Sequence, residues 1–169
     1  MGKFLTSASR IEQLDKPRQY KLVDNELYLD DNGHIYLAWR GFQTDNFTWL
    51  NSNEWDIRCS HQHDVGCQYH QVVKVCLTEH QLRRMGLLYE HKGKWVCRDI
   101  PTIFLRVVDI TGHEINNLFY RMLKNADCPK TPKYIQYLYR AGVSFNLNWF
   151  RSGKTKINLK YLYKYMQNN

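Results

Sequence analysis

No Asp or Glu follows Asp127, although the chain continues to residue 169. Beyond that point the charges are Lys130, Lys133, Arg140, Arg151, Lys154, Lys156, Lys160 and Lys164, eight cations that equal the formal net charge of +8. The remainder carries 16 charges of each sign and is neutral, so a balanced body is followed by a basic C-terminal quarter. Other absences narrow the class. No stretch approaches the roughly 18 apolar residues of a membrane span. The opening MGKFLTSASR lacks the apolar run of a secretory signal, which predicts a protein that stays in the cytoplasm where it is made. The five cysteines, Cys59, Cys67, Cys76, Cys97 and Cys128, are odd in number and irregular in spacing. That argues against a disulfide framework and leaves reduced thiols or a metal site. Internal repeats and low-complexity tracts are also lacking.

At 169 residues the chain fits a single domain able to bury a core without staples. The expected divisions are an arm over residues 1–17, the neutral body over 18–128 and a basic helical region over 129–169. Apolar and polar residues alternate over Tyr20 to Val23, Glu26 to Leu29 and His34 to Trp39, with Asp31-Asn32-Gly33 as a hairpin turn, which predicts a small antiparallel sheet. Gly41 to Asn53 has no period and reads as a loop. Residues from about Asn53 to Val75 place Trp55, Ile57, Cys59, His63, Cys67, His70 and Val73 near helical spacing and predict a helix. Thr78-Glu79-His80 starts a short helical turn that ends at Gly86, and His91-Lys92-Gly93 is a second hairpin turn, closed off by Pro101. Thr111-Gly112-His113-Glu114 is a capping box. The stripe Ile115, Leu118, Phe119, Met122 and Leu123 behind it predicts a helix to about Asn125. Further helices are expected from Thr131-Pro132 to Gly142 and from Ile157 to Met166. The fold class predicted is α+β: a small N-terminal antiparallel sheet, a central antiparallel helix pair with a hairpin wing, and a basic helical C-terminal region.

Proton-moving and metal-binding groups concentrate in residues 58–70, which hold Cys59, His61, His63, Asp64, Cys67 and His70. A histidine oriented by an acceptor can take a proton from water, and a neighbouring carboxylate can hold a cation or a substrate. Adjacent helical residues point about 100° apart, so the acceptor that orients His63 must come from another element rather than from Asp64. The same cluster can be read as a zinc site, with His63 and Cys67 or Cys76 and His80 at i, i+4. It can equally be read as buried thiols beside surface histidines.

GFQTDNFTWL, HQHDVGC and HEINNLFYRML, in that order over roughly residues 37–142, resemble a family of small tailed-bacteriophage proteins. Its pattern is a GF-x-TD-x-x-S stretch, an HD-x-L-Y helix and a later helix reading E-A-D-x-x-F. HDVGCQYH is also similar to the HDFGYRNY helix of the calcium-dependent secreted phospholipases, in which an Asp on a second antiparallel helix orients the catalytic histidine. The resemblance implies His63 as the base that activates water, Asn116 as its orienter, and Asp64 as a calcium ligand, with Asp45 of the preceding loop as an added ligand. The bare reading of Thr44-Asp45 is an Asx turn or a cap. Three departures stand out: Asn116 replaces an Asp, Cys67 replaces a Tyr, and Gly41 to Asn53 contains a single Gly where the phospholipases have a glycine-rich calcium loop. An amide accepts a hydrogen bond from the ring but cannot stabilise imidazolium by charge.

The expectation is therefore a bacteriophage-type protein in an infected bacterial cytoplasm or a virion. It would be either a weak or degenerate hydrolase or a protein that binds a virion or host partner. An interaction module without catalysis is an alternative. So is a nucleic-acid binder, since Lys154, Lys156, Lys160 and Lys164 lie among the tyrosines of the tail and suit phosphates and bases, an acidic protein surface or anionic lipid.

Overall fold

The computed structural model describes residues 2–15, 19–44, 58–125, 133–134, 136–137, 141 and 155–163. The strands are Lys3–Phe4 (β1), Ile11–Gln13 (β2), Tyr20–Leu22 (β3), Glu26–Leu29 (β4), Ile35–Ala38 (β5), Gln43–Thr44 (β6), Gln71–Val75 (β7), Leu88–His91 (β8), Lys94–Cys97 (β9) and Leu105–Asp109 (β10). The α-helices are Arg58–Tyr69 (α1), Glu79–Arg84 (α2) and Gly112–Lys124 (α3). The fold is α+β. A five-stranded sheet in the order β1-β4-β5-β7-β10 is antiparallel throughout, and β2-β3-β6 and β8-β9 form two smaller sheets.

Both hairpin turns form where their residues predict. Gly33 takes φ +82°, and Asp30 Oδ1 accepts the amides of Asn32 and His34 at 2.9 and 2.8 Å. Lys92 and Gly93 take φ +51° and +74°, positive at both turn positions as a two-residue type I′ hairpin requires. The Thr111 capping box closes as its spacing predicts, with Glu114 Oε2 accepting from Thr111 N and Oγ1 at 2.7 Å. The apolar stripe behind it buries Ile115, Leu118, Phe119, Met122 and Leu123 against Tyr28, Tyr36 and Val72 of the large sheet. The opposite face, through Leu27, Leu37, Val73 and Val75, packs on Leu22, Phe42, Leu82 and Leu88.

Four expectations are corrected. Residues 1–17, expected as an arm apart from the body, are built into its sheets over their described part: Lys3–Phe4 pairs with β4, Ile11–Gln13 pairs with β3, and Phe4, Leu5 and Thr6 are buried, because the apolar Phe4-Leu5 pair covers an otherwise open sheet edge. The helix expected to Val75 stops at Tyr69. His70 adopts φ +53° and the β-branched run QVVKV continues as β7, where branched side chains pack well on a pleated surface. Gln43 and Thr44, expected in a loop, pair with β3. Ile157 and Asn158 are not helical, and Leu159–Tyr161 is a single 3-10 turn capped by Asn158. Leu162 beyond it is buried in the core, and the Tyr163 hydroxyl oxygen accepts the Ile100 amide at 3.2 Å. Asp45, Lys154, Lys164 and most of the expected 131–142 helix lie outside the described residues. No helix among the described residues is long and apolar enough to cross a membrane.

Candidate functional site

α1 carries RCSHQHDVGCQY, a segment with no Leu, Ile or Phe, yet residues 58–63, Val65 and Gly66 are buried. A buried polar helix is stable only where its side chains find partners, since an unsatisfied buried polar group costs about 1–3 kcal/mol. The partners come from several elements. Gln62 Nε2 donates to Glu26 O at 3.1 Å, and Arg58 Nη1 donates to Thr6 O at 2.5 Å while its guanidinium lies 4.2 Å over the Phe4 ring. His61 Nδ1 is 2.8 Å from Glu26 Oε2, and the other oxygen, Oε1, accepts Ser9 N–H at 2.8 Å. His61 and Glu26 are both wholly buried.

The two helices meet where the side chains allow close approach. A Cβ at Gly66 would strike the Ile115 side chain, so glycine sets the distance between α1 and α3. Going from Gly66 back to His63 on α1, the contacts move from Ile115 forward to Asn116 and Phe119 on α3, so the helices run antiparallel. At that crossing His63 Nε2 lies 2.9 Å from Asn116 Oδ1, so the ring donates Nε2–H to the amide oxygen. The structure thus brings His63 and Asn116 together. The Phe119 ring packs 4.8 Å from the imidazole, which is 4% exposed.

The other ring nitrogen faces Asp64 Oδ1 at 3.9 Å, an electrostatic contact too long for a hydrogen bond. Asp64 Oδ2 instead accepts from the Thr44 hydroxyl, so the residue preceding Asp45 reaches the site from β6. Cys67 Sγ lies 3.7 Å from His63 Nδ1 and 3.5 Å from Nε2. Near-equal distances place the sulfur over the face of the ring, because an in-plane bond to one nitrogen would leave it far from the other. Cys67, His63 and Asn116 therefore adjoin without the in-line geometry by which a thiol passes its proton to a histidine. Burial presses against a charge on His63, but the Asp64 carboxylate and the Cys67 sulfur outweigh it and raise the pKa to about 10. These neighbours favour the protonated ring.

Calcium takes 6–8 oxygen ligands. Among the described residues no group of three or more His, Cys, Asp or Glu side chains is placed to hold a metal ion. The Asp64 oxygens are turned to the Thr44 hydroxyl and to the His63 ring, and the described residues do not make a calcium shell. For the zinc reading, Cys76 precedes α2 and its spacing to His80 is not helical, while Cys59 is buried against Phe119 and Met122. Of the tail lysines, Lys156 Nζ pairs with Asp109 at 3.5 Å and Lys160 Nζ lies 5.8 Å over the Tyr161 ring.

Sequence reasoning did not single out Glu26 or its pairing with His61. The available signal was a charged residue at the strand position that shares a face with Tyr28 in an otherwise apolar run. Compared with protein-family models, curated proteins and solved structures, the chain matches none of them.

Proposed function

We propose that the chain is a bacteriophage-type protein in which a phospholipase-like helix pair serves as a scaffold, its His-Asp site attenuated, and that it acts by binding a virion or host protein. The observation that supports this reading is the state of His63. A general base must be neutral and within reach of its substrate. His63 is 4% exposed and held by an amide rather than a carboxylate, and its neighbours favour the protonated ring. In that state it locks two helices together better than it activates water.

Incubation with mixed phospholipid vesicles and calcium at pH 8, with fatty-acid release as the readout, is expected to give no turnover above background. Calcium-dependent release that disappears in His63→Ala would overturn the attenuated-site reading. Affinity purification from infected-cell lysate is expected to bring down one defined virion or host protein in stoichiometric amount, and a chain recovered alone would remove the binding role.

A further inference from the structure

A second site of a different character lies on the large sheet. His34, Lys74, Cys76, Arg106, Val108 and Asp109 are among the residues that line an open groove of about 620 Å³. The register puts Tyr36 opposite Lys74 and Lys74 opposite Arg106, so the three side chains stand in one row across β5, β7 and β10 and on one face. Lys74 Nζ lies 5.3 Å over the Tyr36 ring, and Arg106 is exposed. Like charges directly opposite each other in an antiparallel pair repel. Among the described residues neither cation makes an ion pair, and the nearby acids are committed elsewhere. Glu114 accepts the capping bonds of Thr111, Asp109 is held by Gln71 at 2.9 Å and Lys156 at 3.5 Å, and Asp30 takes the Tyr36 hydroxyl at 3.2 Å with the His34 ring at 3.4 Å. Asp109 also lines the groove and Glu114 bears on Lys74 electrostatically, but among the described residues Lys74 and Arg106 stand side by side with no salt bridge to either acid, an arrangement that an oxyanion can bridge.

We propose that this groove binds a phosphoryl group, with the Arg106 guanidinium and the Lys74 ammonium on its oxygens and His34 at the rim. A guanidinium fork beside a point charge suits a tetrahedral, multiply charged oxyanion better than a single carboxylate. The groove is open, so the group can belong either to a soluble phosphate compound or to the headgroup of an anionic lipid. The site is independent of His63 and of any role assigned to it.

The probes are inorganic pyrophosphate, followed by calorimetry and by thermal shift against chloride at matched ionic strength, and vesicles of phosphatidylglycerol in phosphatidylcholine. At least one is expected to bind the full chain, and Lys74→Gln with Arg106→Gln to weaken that binding tenfold or more. Arg106→Lys, which keeps the charge and loses the fork, should retain part of it, and Lys94→Gln, on the separate β8-β9 hairpin, should leave it unchanged. Without anion the double variant is expected to melt no lower than the wild type, since removing the pair removes a repulsion. Pyrophosphate binding marks a soluble ligand, and vesicle binding alone marks a lipid headgroup. Failure of both probes, or affinity unchanged in the double variant, overturns the proposal.

Discussion

A histidine takes up a proton only from its neutral form, and the surroundings of His63 favour the charged one. The folded pKa of about 10 lies above the ordinary 6.5, so protonation stabilises the fold. That stabilisation is complete below about pH 6.5 and is lost as pH rises toward 10, by an amount on the order of a few kcal/mol. Urea unfolding at pH 6 and pH 9 is expected to show a fall in wild-type stability that is distinctly smaller in His63→Gln. The partner residue separates charge from geometry. Asn116→Leu removes the acceptor of a buried N–H and should cost about 1–3 kcal/mol at pH 7. Asn116→Asp keeps the acceptor, adds a charge that attracts imidazolium and should cost far less. Equal losses in the two variants would mean that His63 is neutral.

The elements differ in how far their sequences disclosed them. In α3 one pattern does everything: Thr111 and Glu114 cap it, and its apolar stripe is its buried face, so boundary, face and partner were all legible. The hairpin turns were legible for a similar reason, since Gly33 and Gly93 sit where the chain needs positive φ. α1 was legible as a helix but not in its burial, because burial there rests on polar pairing across the fold, and pairs such as His61 with Glu26 leave no periodic trace. Its end was missed because Val72, Val73 and Val75 fit helical spacing as well as strand alternation, and only the positive φ of His70 separates the two. Within the site, resemblance to other families was what paired His63 with Asn116, since no local pattern links residues on separate helices. Gly66 offers a test of how tightly those helices are packed. Alanine is favoured over glycine in a helix by about 1 kcal/mol, yet a Cβ there meets Ile115. Gly66→Ala is therefore expected to destabilise by about 1–3 kcal/mol in thermal unfolding, and in an Ile115→Ala background the same change should become neutral or favourable.

Across the whole molecule, buried polar links join segments far apart in the chain, and three of them converge on Glu26. Its carboxylate joins Ser9 of the N-terminal segment to His61 of α1, and its carbonyl takes Gln62. Thr6 lies alongside, with its hydroxyl on the Leu27 amide and its carbonyl on Arg58. The first strand is thus tied into the body through polar contacts as well as through Phe4 and Leu5. Breaking one partner of a buried pair typically costs about 3–5 kcal/mol, because the other is left in a low-dielectric site without compensation. Glu26→Ala is expected to lose stability on that scale in urea unfolding and to raise amide exchange at Ser9, which loses its acceptor. Glu26→Gln keeps an oxygen for Ser9 N–H and offers an N–H to a neutral His61, so its loss should be smaller and Ser9 should stay protected. If both variants unfold at the wild-type midpoint, the N-terminal strand is held by apolar packing alone and the polar links to α1 contribute nothing net.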